Sequence, residues 1–317
     1  MKLAIIITAV VVVILLMVLL MRNRTSSMPT EGFIPVTGGK VWYKIVGAEH
    51  EGIPLLVLHG GPGAPHDYLE SLGALATDRP VIFYDQLGCG NSDQPADTSL
   101  WTVDRFVEEL ELVRKALKLE EIHLLGQSWG TMLAVEYILR KNPKGVKSLV
   151  LSAPYLSTQL WSDDQRAWIE LLPAEVRDTI YKYEALGDYA SSAYQEAMMA
   201  FYQKHVCRLD PWPESINRTF EKMGVEVYNH MWGASEFTIN GTLLEADLTE
   251  ELHKIKIPVL FTCGEFDEAT PITTALYQSK LPDSELHIFE GASHMHHVEK
   301  MHEFNFLISD FIKRAEL

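Results

Sequence analysis

Gly126-Gln127-Ser128-Trp129-Gly130 is the stretch that decides the fold of this chain. It follows the apolar run Ile122-His123-Leu124-Leu125 and opens the helix-like segment Thr131–Leu139. Strand, then G-x-S-x-G, then helix is the context of a nucleophile elbow. A chance match in a Gly- and Ser-rich loop would lack those flanks. On such a turn, glycine two residues either side of the serine leaves room for neighbouring backbone. Ser128 is thereby expected at the tip of a strained turn, with its hydroxyl presented for attack.

Outward from the elbow, strand-like and helix-like segments alternate. Lys40–Val46, Pro54–His59, Val81–Tyr84, Ile122–Leu125 and Val146–Leu151 read as strands. Asp67–Thr77 has helical spacing, and Val103, Phe106, Val107, Leu110, Val113 and Leu117 form one face of a helix over 102–117. Buried strands separated by helices argue for a parallel α/β sheet. Residues 156–252 break the pattern: they are helix-like, rich in tryptophan, and lack convincing buried strands. Alternation resumes with a strand at 257–262, a helix from Pro271 to Leu281, a strand at 285–289 and a last helix near 299–314. The expected organisation is a core over 33–155 and 253–317, with residues 156–252 inserted as a helical cap.

A serine hydroxyl is a poor nucleophile at neutral pH and needs a base, itself oriented by a third group. On an elbow of this kind the partners follow in the order Ser, Asp or Glu, His. The strand ending in Cys263-Gly264-Glu265-Phe266-Asp267 offers the acid, and Gly291-Ala292-Ser293-His294 ends the next strand. Asp267 and His294 thus fall on neighbouring strand ends, on the same edge as Ser128. Glu265 and Glu268 are the alternatives to Asp267. Oxyanion donors are expected from the N–H of Trp129, next after the nucleophile, and from Gly61 in His59-Gly60-Gly61-Pro62-Gly63. His59 itself reads as a loop brace rather than a base.

The chain has 317 residues and a net charge of −16. An acidic surface repels phosphate, so nucleic acid is excluded as a partner. His294, His296, His297 and His302 cluster in sequence, but no second ligand group of known spacing accompanies them, so no metal is expected. No other cofactor is indicated. Cys89, Cys207 and Cys263 are too far apart for a redox or zinc pair; Cys89 and Cys263, beside strand ends, read as small buried thiols. The sequence sets no oligomeric state. Leu3 to Met21 carries no charge, and its length matches a bilayer's apolar thickness at roughly 28 Å. No small-residue cleavage site follows it. A single-pass membrane anchor over 1–24, a linker over 25–32 and a membrane location are therefore expected. The flanking positive charges are balanced and leave the orientation open.

These motifs resemble those of the proline iminopeptidases of the α/β-hydrolase superfamily. The resemblance is carried by residues 59–63, by Asp85-Gln86-Leu87-Gly88-Cys89-Gly90-Asn91-Ser92, by the elbow, and by the segments around Asp267 and His294. Leu87 is closer to the branch containing the tricorn-interacting aminopeptidase. Thr131 departs from the family, which usually has a second glycine there. The resemblance implies an α/β-hydrolase fold and release of amino-terminal residues, preferably proline, from short peptides with a free amino terminus. It further implies that Glu236, in Trp232-Gly233-Ala234-Ser235-Glu236-Phe237, and Glu268 hold the amino terminus. The alternatives are a carboxylesterase or lipase-like hydrolase with the same triad, and a tethered binding protein without activity. Two carboxylates beside the acyl group would give an esterase nothing.

Overall fold

The structure is a computed structural model that describes residues 29–281 and 283–317. The chain enters with β1 (Glu31–Val36), β2 (Gly39–Val46), β3 (Leu55–Leu58), a 3₁₀ helix at His66–Leu75 and β4 (Val81–Tyr84). Helix α1 (Val103–Ala116), β5 (Ile122–Ser128), α2 (Trp129–Lys141) and β6 (Val146–Pro154) follow. Between β6 and the next sheet strand lie α3 (Thr158–Glu170), α4 (Ala174–Leu186), α5 (Ser192–His205), α6 (Glu214–Glu221), α7 (Val225–Met231) and a small ribbon, β7 (Gly233–Ser235) with β8 (Thr238–Ile239). The chain closes with β9 (Val259–Gly264), α8 (Pro271–Ser279), β10 (Glu285–Phe289), α9 (His296–Glu299) and α10 (Met301–Ala315).

Eight strands form one sheet in the order β1-β2-β4-β3-β5-β6-β9-β10, parallel from β4 to β10 and antiparallel at β1 and β2. Every residue of β3, β4, β5 and β9 is buried, as expected of strands covered on both faces. Chain order reverses at β3, with β4 on one side and β5 on the other. The crevice at the carboxyl ends of two such strands is where open α/β sheets bind ligands. Gly61 follows β3 there, and Ser128 ends β5, with Leu58 in register beside Gly126. Sheet topology alone therefore brings the glycine-rich loop after β3 to the elbow.

The predicted helix over 102–117 is α1, with the Thr102 hydroxyl capping it by accepting the Arg105 N–H. Phe106, Val107, Leu110, Val113 and Leu117 are buried from its face, while Val103 is only half-buried at the first turn. The helical spacing at 67–77 folds as the tighter 3₁₀ helix. The insertion carries the short ribbon β7–β8, which the expected all-helical reading of 156–252 lacks; strands of three and two residues are too short to show a period. Buried insertion residues such as Ile169, Phe201 and Ile216 join one cluster with Val57, Leu125 and Val150 of the sheet. Strand β1 begins at Glu31, inside the stretch expected as linker.

The expected membrane anchor is corrected. It falls on residues outside the described ones. Among the described residues no helix is long and apolar enough to cross a membrane; the longest, α10, has 15 residues and spans about 22 Å, short of a bilayer's apolar thickness. An uncharged stretch of spanning length is a candidate on hydropathy alone, and no observation here adds to it. Neither membrane partnership nor membrane location is retained.

Candidate active site

Ser128 sits at φ 55° and ψ −125°, a left-handed backbone that a non-glycine residue adopts only under constraint. The constraint is tight packing of the turn. A side-chain carbon at Gly126 would lie 2.2 Å from the Gly130 carbonyl oxygen, and one at Gly130 would lie 2.2 Å from that of Leu58. Both glycines are therefore required by backbone contact. The Thr131 hydroxyl donates to the Ser128 carbonyl at 2.7 Å and also accepts the Tyr155 N–H at 3.0 Å. It thus links the elbow to the residue following β6.

Asp267 and His294 meet in the loops that follow β9 and β10. His294 Nδ1 lies 2.7 Å from Asp267 Oδ1. The aspartate is fully buried and also accepts the N–H groups of Gly264 at 3.0 Å and Ala269 at 2.9 Å. Burial pushes its carboxyl pKa up, but the charge and hydrogen bond of His294, with help from His296, outweigh that and hold it well below the usual range. A carboxylate at Nδ1 fixes the tautomer with Nε2 free to accept a proton. His294 and Ser128 line the same cavity, although no Ser128–His294 hydrogen bond is closed among the described contacts. Such bonds commonly tighten only once substrate is bound. Of the rival acids, Glu265 is turned to the Gly291 N–H, and Glu268 faces the cavity.

The loop after β3 is held by residues that local sequence did not single out. Gly60 donates its N–H to the Tyr68 hydroxyl at 2.7 Å, and Tyr68 donates to Gln127 Oε1 at 2.6 Å. Gln86 accepts the Trp129 indole N–H at 2.9 Å while its amide donates to the His59 carbonyl at 3.0 Å. Loop and elbow are thereby tied twice. His59 accepts the Gln86 N–H at 2.8 Å, and burial pulls its pKa down to about 4, so it is the neutral brace expected. Gly61 adopts φ 106°, and its N–H donates to no protein acceptor among the described residues. The only sequence signal for Tyr68, Gln86 and Gln127 was their nearness to the glycine-rich turns.

The cavity over Ser128 has a volume of about 380 Å³ and is lined by Gly61, Ser128, His294, Glu236 and Glu268 among others. Glu236 comes from the turn between β7 and β8 and accepts the Tyr228 hydroxyl at 2.9 Å. Glu268 is buried, and its Oε1 has no hydrogen-bond partner. Burial, then the charges of Glu236 and Asp267, push the Glu268 carboxyl well above the usual range. Burial also raises that of Glu236, against the hydrogen bond from Tyr228 and the charge of His294. Among the described residues no lysine or arginine lines this cavity, so the pair, once ionised, forms an anionic pole with neither of those cations beside it. Such a pole is complementary to a small cation.

Of the clustered histidines, His296 Nδ1 lies 3.5 Å from Asp267 Oδ2. His296 bonds Ser152, Thr262 and Ser293, His297 bonds the Tyr68 carbonyl, and His302 is exposed. Among the described residues no group of three or more His, Cys, Asp or Glu could hold a metal ion. The three cysteines are buried and unpaired.

A family model for the alpha/beta hydrolase fold matches residues 53–301. The chain is 48% identical over 286 residues to a proline iminopeptidase of Heyndrickxia coagulans, covering 90% of this chain and 99% of that protein. It is 41% identical over 291 residues to one from Clostridium botulinum, covering 90% and 99%. The solved structure of the proline iminopeptidase of Mycobacterium smegmatis superposes with a TM-score of 0.84 at 38% identity, covering 90% of this chain and 98% of that one. With its α/β-hydrolase sheet, its elbow and matches of this length, the chain belongs to the proline iminopeptidase family.

Proposed function

We propose that this protein is a serine aminopeptidase that releases amino-terminal residues, proline preferred, from short peptides, with Ser128, His294 and Asp267 as its catalytic triad. The observation that carries the reading is the 2.7 Å contact of His294 with Asp267 beside a strained Ser128, in a cavity that the carboxyl groups of Glu236 and Glu268 also line. Ser128 Oγ attacks the first peptide carbonyl as His294 Nε2 takes its proton. Asp267 holds the imidazole and stabilises its cation. The N–H groups of Gly61 and Trp129 receive the oxyanion. His294 then protonates the departing amine, and water hydrolyses the acyl-enzyme.

Glu236 and Glu268 hold the α-ammonium, which places the first carbonyl, and no later one, at Ser128. That requirement separates a peptidase acting at the amino terminus from an esterase on the same scaffold. Ser128→Ala tests the nucleophile: prolyl-arylamide turnover is expected to fall by about 10⁴-fold or more with the fold retained. Retained turnover would refute the assignment.

A further inference from the structure

The same cavity is too long and too apolar to serve only the first residue. Tyr194, Met198, Tyr202 and Val206 all line it, at four-residue spacing along α5 and its cap. They form one helical stripe of roughly 18 Å, whereas an extended residue spans about 3.5 Å. The walls differ in character. The anionic pole is made by Glu236 and Glu268. Beside His294 the lining includes apolar Met295 and Val206: the backbone N–H of His294 donates to the His205 carbonyl at 3.0 Å, and that of Met295 to the Val206 carbonyl at 2.9 Å. Segment 219–224 is tied to the 3₁₀ helix by the Tyr68 N–H on Thr219 Oγ1 at 3.0 Å, and to the loop after β3 by the Gly224 N–H on the Gly63 carbonyl at 2.8 Å. At its edge Phe220 and Val225 remain 42% and 58% exposed, an apolar margin that folding alone leaves open.

Chemistry orders these walls along a substrate. The leaving nitrogen must reach His294 to be protonated, so the departing chain passes beside His294 and its neighbours Met295 and Val206. We infer that Met198, Val206, Ile216, Phe220, Met223 and Met295 form the subsite for the residue after the scissile bond, selecting peptides whose second residue is apolar. Since among the described residues no lysine or arginine lines the cavity, a carboxylate on that second residue would be desolvated with neither of those cations beside it. The preferred substrates are therefore chains in which the terminal carboxylate lies further out or is amidated. This rests on the aminopeptidase reading above.

The test is a series of Pro-X amides with X as Leu, Phe, Gly or Asp, together with the free dipeptide Pro-Leu, run beside a prolyl-arylamide. Leu and Phe are expected to exceed Gly in kcat/KM by about tenfold or more, as for an apolar pocket losing several methylenes. Asp and the free dipeptide are expected to fall below Gly and the Leu amide respectively. Phe220→Ser, at a half-exposed position, should shrink the Leu-to-Gly ratio. A flat series with prolyl-arylamide still cleaved would overturn the subsite alone, whereas failure to cleave any free-amine substrate would overturn the aminopeptidase reading itself. A ratio unchanged in Phe220→Ser would also remove the subsite as drawn.

Discussion

Burial, and then the charge of Glu236, raise the carboxyl pKa of Glu268, although the two glutamates line the cavity from segments more than thirty residues apart. A buried carboxylate with an unpartnered oxygen and a like charge nearby destabilises the folded protein unless a ligand neutralises it. Glu268→Gln is therefore expected to act in opposite directions on activity and stability. kcat/KM for free-amine peptides should fall by about 100-fold, the scale of losing one partner of a buried charge pair. The melting temperature should rise by about 2 °C or more. A variant that loses both activity and stability would mean that Glu268 is structural.

The raised carboxyls fix the sign of the pH dependence. A carboxyl whose folded pKa is raised carries its charge penalty at pH above the folded pKa and none below the unfolded one. The wild type should therefore gain on Glu268→Gln in stability as pH falls through that window, which denaturation at several pH values would read. Substrate binding runs the other way. The ammonium needs the ionised pair, so KM for a free-amine peptide should rise as pH falls, and binding should release protons detectable by calorimetry in buffers of different ionisation enthalpy. Asp267, held low, stays ionised over that range and is not the source of the acid limb. A KM independent of pH on the acid side would contradict the pairing.

Thr131 bonds the Ser128 carbonyl and the backbone of Tyr155 at once. Thr131→Val keeps its shape and removes these bonds, leaving a buried N–H and carbonyl short of partners, at a cost of about 1–3 kcal/mol in stability. If the bonds also position the nucleophile, kcat should fall by about tenfold with KM little changed, and Thr131→Ser should restore it. Equal kcat in all three, with only the melting temperature moved, would make Thr131 a packing residue.

What the sequence made legible was local. The elbow is five consecutive residues between two apolar segments, and the strand ends at Asp267 and His294 follow from where those runs stop. Once β3 and β5 are neighbours, Gly61 must meet Ser128. The bracing network was hidden because its bonds join residues 43 and 59 positions apart, such as Gln86 with Trp129 and Tyr68 with Gln127. Glu236 was visible only through resemblance, since a glutamate in an irregular turn has no pattern of its own. The apolar run near the amino terminus taught the reverse lesson: length and hydropathy matched a membrane span, and no further observation supported one.

The central claim is that the free amino terminus selects the scissile bond at Ser128. The most direct measurement compares kcat/KM for prolyl-arylamide with that for its N-acetylated counterpart on the same enzyme. Removing the ammonium leaves the carboxylate pair facing an uncharged amide, so the blocked substrate is expected to be cleaved about 100-fold less well or worse. Equal cleavage of the two would contradict the account and return the site to a general serine hydrolase.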